Sequence, residues 1–246
     1  MRAVVFVSIW LAACTDESTQ HRQVGSALAR AGKHRQAVRE YRRALADSRD
    51  DAATLTLLAH SEFELARLQD AERHYEEALR GDPDYADAHF GLGMLLSRRQ
   101  KGAEAAVHFE QVLEQNPRDL TVLLNLGRLY LAEGDLARAS ERLEAARALD
   151  DDNADALYLL GQVAIKAGNL DRAEELFRAL ERLAPDRPYG AYGRAAVEAR
   201  RGRKEEALRL LREAMDKGID DPGSMREDWM LEPLREDPAF RSLTGD

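Results

Sequence analysis

Few residues of this chain are placed to do chemistry. The histidines, His21, His34, His60, His74, His89 and His108, are scattered. His60 and Glu64 share a helix face at i,i+4, but two ligands without a third make a poor metal site. Asp151, Asn153 and Asp155 imitate the start of a calcium loop. Ala156 stands where that loop needs Gly, and Gln162 where it needs a bidentate Glu, so a turn with an Asx helix cap is the simpler reading. Gly91-Leu92-Gly93 begins like a dinucleotide fingerprint, but Leu96 replaces the third Gly and no strand precedes it. No GxSxG, HExxH, CxxC or Walker-type stretch occurs. No catalytic, cofactor or metal site is expected. A hydrolase or metal protein without a recognisable motif is the rival of a different class.

The remaining reactive group is Cys14, the single cysteine. One thiol excludes an internal disulfide framework and any multi-cysteine zinc site. It follows Arg2, the apolar run Ala3 to Trp10, and Leu11-Ala12-Ala13. This is the layout of a secretory signal, too short to span a bilayer. Leu11-Ala12-Ala13-Cys14 resembles the lipobox of bacterial lipoproteins, in which the signal is cut before the Cys and the sulfur carries lipid. That resemblance implies a signal at 1–13, a lipidated tether at 14–17 and a membrane attachment through Cys14. Several acyl chains on one residue hold stably where a single chain does not. Thr15, where an Asp would favour inner-membrane retention in that family, leans toward the outer membrane, facing the periplasm. A misassigned start codon with an incidental Cys is the alternative, and would make the protein cytoplasmic.

The elements that must position any site come from a period of 34. Gly25, Ala59, Gly93, Gly127, Gly161 and Ala195 are all small, and Ala37, Ala71, Ala105, Ala139, Ala173 and Ala207 keep the same spacing. Tyr41, Tyr75, Phe109, Leu143, Phe177 and Leu211 are all large, and Pro83, Pro117 and Pro185 mark the same register. Each repeat reads as two amphipathic helices. In the fourth, Leu123, Leu126, Leu129 and Tyr130 line one helix, Gly134-Asp135 breaks the chain, and Leu136, Ala139, Leu143 and Ala146 line the next. The small residues let the paired helices approach while the large ones fill the space beside them. No segment alternates long enough to read as a strand.

This pattern resembles the tetratricopeptide repeat (TPR) family, whose unit is 34 residues of helix–turn–helix. The resemblance implies an all-α, right-handed α-solenoid of six repeats, 18–51, 52–85, 86–119, 120–153, 154–187 and 188–221. Gln100 replaces the small turn residue of the third repeat, Arg49 and Asp151 replace terminal Pro, and Arg194 stands where a core Leu is usual. That makes the sixth repeat the least regular. Residues 222–246 are read as a C-terminal cap, with the capping-box pattern Ser224-x-x-Glu227 and with Trp229, Leu234 and Phe240 covering the last repeat.

In the TPR family the first helices line a concave groove, and ligand contacts come from fixed repeat positions. Transferred residue by residue, these are Phe90, Met94 and Arg98; Leu124, Asn125, Arg128 and Leu131; Tyr158, Gln162, Ile165 and Lys166; and Tyr189, Tyr192 and Arg200. Across the six repeats such positions hold Arg22, Arg30, Arg98, Arg128, Lys166 and Arg200 against Glu64, Asp87 and Asp155. Six minus three leaves +3, inside a chain of net charge −9. The expected ligand is therefore a peptide or helix with acidic groups among apolar anchors. Of the carboxylate clamp of chaperone-binding TPRs, Asn125 and Lys166 match, but Phe90, Met94 and Gln162 occupy the other places. The overall acidity argues against nucleic acid. The expected function is a non-catalytic, lipid-anchored adaptor of the cell envelope, with no cofactor and an open oligomeric state. The combination of lipobox and six repeats looks like the pilotin lipoproteins of type IV pili and the lipoproteins of Tad pilus assembly.

Overall fold

The computed structural model describes residues 17–46, 51–219 and 221–245, and these are all-helical apart from turns. The signal-like segment with Cys14 and Thr15, and Arg49, lie outside the described residues. The chain forms two compact bodies, one up to Pro117 and one from Arg118.

The N-terminal body holds three helix hairpins: α1 (Glu17–Arg30) with α2 (His34–Ala44), α3 (Ala52–Glu64) with α4 (Leu68–Gly81), and α5 (Ala86–Arg98) with α6 (Gly102–Gln115). Successive hairpins pack through α2 on α3 and α4 on α5. The C-terminal body repeats the plan with α7 (Leu120–Glu133) and α8 (Leu136–Leu149), α9 (Ala154–Lys166) and α10 (Leu170–Leu183), and α11 (Tyr189–Arg200) and α12 (Lys204–Asp216). After them come two 3-10 turns, η1 (Pro222–Arg226) and η2 (Trp229–Leu234), and a short α13 (Pro238–Thr244).

The periodic small and large residues make each hairpin. A Cβ built on Gly93 would stand 2.7 Å from Phe109, one on Gly127 2.4 Å from Leu143, and one on Gly161 2.5 Å from Phe177. Those partners are fully buried. The helices therefore approach to where no side chain fits, and the large side chain sixteen residues later lies across the bare backbone. Gly91 serves the same end against Tyr75 at 2.3 Å, so the pair that imitated a phosphate loop is helix packing.

The turn inside each hairpin needs one residue in the left-handed region. Gly32, Ala66, Gln100, Gly134, Gly168 and Gly202 take it, with φ of 70°, 57°, 61°, 83°, 76° and 76°. Gln100 thus adopts the backbone of the glycine it replaces. Arg194 does not break the sixth repeat either: its Nε donates to Glu174 Oε1 at 3.1 Å and its Nη1 to Glu181 Oε2 at 2.8 Å. An ion-paired bridge stands where the other repeats use an aliphatic contact.

At the C-terminus the sequence expectation of a Ser224 capping box is corrected. Asp221 caps η1 by accepting from the Gly223 and Ser224 amides, Asp228 caps η2 through the Met230 amide, and Asp237 caps α13 through Ala239 and Phe240. Ser224 sits inside the first turn, where its hydroxyl donates to the Asp221 carbonyl. Pro222 and Pro238 follow two of the caps at the position where a missing N–H costs nothing.

Candidate functional site

In the N-terminal body the groove positions lie on α5. Phe90 and Met94 are half-buried and Arg98 is exposed. The Phe90 ring rests 5.8 Å from that of Phe109, and the Arg98 guanidinium lies 5.2 Å over Phe63. Aromatic rings thus brace Phe90 and Arg98.

In the C-terminal body Leu124, Asn125 and Arg128 share the exposed stripe of α7. Asn125 donates to the Thr121 carbonyl at 2.9 Å and accepts from Arg128 Nη2 at 2.7 Å. Two other expected groove residues sit elsewhere: Leu131 and Ile165 are buried, 5% and 4% exposed. The helical period explains both, since Leu131 falls four residues beyond Gly127 and Ile165 four beyond Gly161, on the packing stripe. Leu131 still takes part through its carbonyl, which accepts from Lys166 Nζ at 3.1 Å.

The C-terminal segment meets the remaining expected residues. Met230 Sδ lies 3.5 Å from Gln162 Nε2 and 4.0 Å from the Tyr158 hydroxyl. The Trp229 ring is faced by Lys166 Nζ at 5.0 Å and by the Arg200 guanidinium at 5.7 Å, and Arg200 Nη2 donates to the Trp229 carbonyl at 2.8 Å. The Tyr192 hydroxyl donates to Asp228 Oδ2 at 2.5 Å, and Tyr192 itself is buried. Burial, and then the Asp228 carboxylate, push the Tyr192 phenol well above its usual range. Burial also raises Tyr158 to about 12. Both stay protonated donors at any physiological pH.

The segment is therefore a wall of the groove as well as a cover for α11 and α12. Met225, Met230, Leu231, Leu234 and Phe240 are each 2% exposed or less. Burial of these five side chains fastens the segment, at about 1.5–3 kcal/mol each before the entropy cost of ordering it is subtracted.

Tyr158 is braced edge-on by Phe177 at 5.9 Å and by Tyr189 at 5.6 Å. Tyr189 is 55% exposed. A cavity of about 420 Å³ opens beside this pair between α9, the end of α10 and the start of α11, lined by Asp155, Leu180 and Arg187 among others. A second, of about 310 Å³, adjoins it and is closed by Ser224, Met225 and Asp228.

Sequence reasoning missed two buried polar clusters of the N-terminal body. Glu62, fully buried, accepts from Arg42 at 3.0 Å and pairs with His74 Nδ1 at 2.6 Å. His89 Nε2 lies 2.9 Å from the Pro83 carbonyl, so it carries the proton there, and His89 Nδ1 accepts from His108 Nδ1 at 2.9 Å. Burial first, and His89 second, lower the His108 pKa. Only the type of these residues, not their spacing, hinted at them. Among the described residues no group of three His, Cys, Asp or Glu is placed to hold a metal ion. Asn153, from the calcium-like triplet, caps α9 by accepting from the Ala156 amide at 3.0 Å.

Solved structures share the fold. YrrB, described as "a TPR protein with an unusual peptide-binding site", is 24% identical over 73% of this chain and 93% of its own, with a TM-score of 0.64. PilW, a "widely conserved type IV pilus biogenesis factor", is 19% identical over 90% and 99%, with a TM-score of 0.67. MamA from Desulfovibrio magneticus RS-1 is 20% identical over 69% and 96%, at 0.65. At these identities the likeness shows the fold alone. The tetratricopeptide repeat family model matches residues 56–119, 124–188 and 164–222, and a second model of the same description covers 96–148. With most of its length matched and its helices paired in hairpins, this chain belongs to the tetratricopeptide repeat family.

Proposed function

We propose that the protein is a non-catalytic adaptor that holds a segment of a partner protein on the first helices of its repeats. TPR chains are protein–protein interaction scaffolds, and the observation that carries the reading here is, in the N-terminal body, the α5 stripe of Phe90 and Met94 that ends at Arg98. Phe90 and Met94 are half-buried and Arg98 is exposed, with the Phe90 ring against Phe109 and the Arg98 guanidinium over Phe63; in the C-terminal body the half-buried Leu124 and the exposed Arg128 repeat the pattern. A stripe of this kind suits capture of an extended peptide or helix. Affinity capture with mass spectrometry tests it: Met94→Ala combined with Arg128→Glu should lose the specific partner while helical content is unchanged. Equal recovery by variant and wild type would refute groove binding.

The adaptor is further proposed to be tethered by lipid on Cys14 and to serve pilus, secretin or another envelope assembly. The lipobox-like Leu11-Ala12-Ala13-Cys14 supports the tether, and the resemblance in fold to a pilus biogenesis factor supports the setting. Metabolic labelling with a palmitate analogue should mark the wild type and not Cys14→Ala; absence of label from both would remove the membrane part of the proposal.

A further inference from the structure

Charge is spread unevenly over the repeats. The first, 18–51, holds eight Lys and Arg against four Asp and Glu, a net +4 in a chain of −9, while the second, 52–85, holds three against eight. The excess is concentrated on α2. Ala37, Val38, Tyr41 and Ala44 are its buried face, and α2 packs on α1 and α3. Arg35, Arg39, Arg42 and Arg43, at i, i+4, i+7 and i+8, form the opposite, exposed stripe.

Two of these arginines are paired: Arg42 with Glu62, and Arg43 with Glu40, whose other oxygen meets His21. Arg35 and Arg39 are exposed, as are Arg30 at the end of α1 and Lys33 in the turn that joins α1 to α2. Among the described residues none of these four meets a carboxylate, and Arg30 has only the Ser26 carbonyl, at 3.4 Å. The other carboxylate of the described hairpin, Glu17, opens α1 at the end away from the turn. Four cations of the first hairpin are therefore left for something outside the chain.

A guanidinium fork matches the oxygens of a phosphate. Basic residues near a lipid anchor add to its hold on an anionic bilayer. A lipid on Cys14 would leave three residues, at most about 11 Å of chain, before α1 begins at Glu17. The hairpin that carries the stripe is thus the one kept within reach of the headgroups, and the acidic second repeat is repelled by the same surface.

We infer that the exposed stripe of α2, together with Arg30 and Lys33, docks on the anionic phospholipid surface of the membrane to which the chain is tethered. The choice of a membrane as occupant rests on the lipid-tether reading. The contact lies on the outer face of a second helix and leaves the α5 stripe of Phe90 and Met94 free for a protein partner.

Co-sedimentation with vesicles tests it, using the full chain carrying Cys14→Ala so that lipid does not mask the surface; the apolar run 3–10 is common to every variant and cancels in their ratios. Vesicles of phosphatidylcholine with roughly one-third phosphatidylglycerol should bind at least about tenfold more tightly than phosphatidylcholine alone, and about 0.5 M salt should abolish the difference. Arg35→Glu with Arg39→Glu should lose at least about tenfold on the anionic vesicles. Both side chains are exposed, so circular dichroism should show the fold unchanged. Arg182→Glu with Arg212→Glu, exposed in the C-terminal body, changes net charge equally and should stay within about twofold of the parent. Equal binding to both kinds of vesicle, or an equal loss in the two double variants, would overturn the inference. So would a stripe variant that binds vesicles like its parent but loses an acidic protein captured from cells. A palmitate label on Cys14 without any vesicle preference sinks the surface and leaves the tether standing; vesicle preference without label keeps the surface and removes the tether.

Discussion

Replacing Gly161 by alanine should destabilise the C-terminal body, although the same change on an exposed helix face would stabilise it. An added Cβ would stand 2.5 Å from both Cε1 and Cζ of Phe177 and 3.0 Å from Cε2. Favourable carbon contacts lie at about 3.5–4.0 Å, so the ring must retreat by about 1 Å. It has nowhere to go. Gly193 of α11 approaches the same ring so closely that a Cβ there would meet Cδ1 at 2.2 Å, and Tyr158 abuts it edge-on. Overpacking of this kind costs about 1–3 kcal/mol, while Gly to Ala in a helix returns about 1 kcal/mol. The net expectation is a loss of up to about 2 kcal/mol, read as a lower midpoint in urea unfolding followed by circular dichroism. Phe177→Leu should cost stability alone by leaving a void, yet the double variant recreates the Ala195 and Leu211 combination of the sixth repeat. A favourable coupling of about 1 kcal/mol should appear in the double-mutant cycle. A midpoint raised by Gly161→Ala, or additive variants, would refute the claim that ring and backbone are in contact by design of the register.

Gln100→Gly should stabilise the N-terminal body by about 0.5–1 kcal/mol: it removes a left-handed penalty of about 1–2 kcal/mol and gives part back in unfolded-chain entropy; an unchanged urea midpoint would count against strain at φ 61°. Arg194→Leu restores the family's usual residue yet should lower stability by about 1 kcal/mol, because Glu174 and Glu181 each lose one of two cationic partners and keep only Arg178 and Lys217; a rise in thermal midpoint would contradict this. The folded-state pKa of His108 lies below its ordinary 6.5, with burial and His89 outweighing the opposing Glu104. Its contribution is therefore complete above pH 6.5 and is lost as pH falls from there through the folded value. His108→Gln should flatten that part of the stability-versus-pH curve, and an unaltered slope would exclude the effect. Deleting 222–246 should lower both solubility and melting temperature by exposing the surfaces under Met230, Leu231 and Leu234; an unchanged melting curve would show that the segment covers nothing.

Much of the fold was legible because a TPR hairpin is a local object. Small residues at Gly93, Gly127 and Gly161, and large ones sixteen positions on, are spaced by helix geometry, and Gly134-Asp135 marks turn and cap in two residues. The groove was only partly legible. Helix period assigns Phe90, Met94, Leu124 and Arg128 to an open stripe, and strict attention to the same period would have put Leu131 and Ile165 on the buried one. The partners of Tyr158, Gln162, Lys166, Tyr192 and Arg200 could not be read, since they lie about 30 to 70 residues away in chain order and obey no repeat.

The sequence by itself thus determined the all-helical repeat, its 34-residue register and its want of catalytic motifs, because each depends on contacts within a few turns of helix. Only the tertiary structure decided that the C-terminal segment enters the groove and takes up Lys166 and Arg200. Cation–π contact, hydrogen bonding and apolar burial across such separations depend on where the chain returns, and Asp228-Trp229-Met230 carries no signal of its destination until the tyrosine-lined face it meets has been assembled.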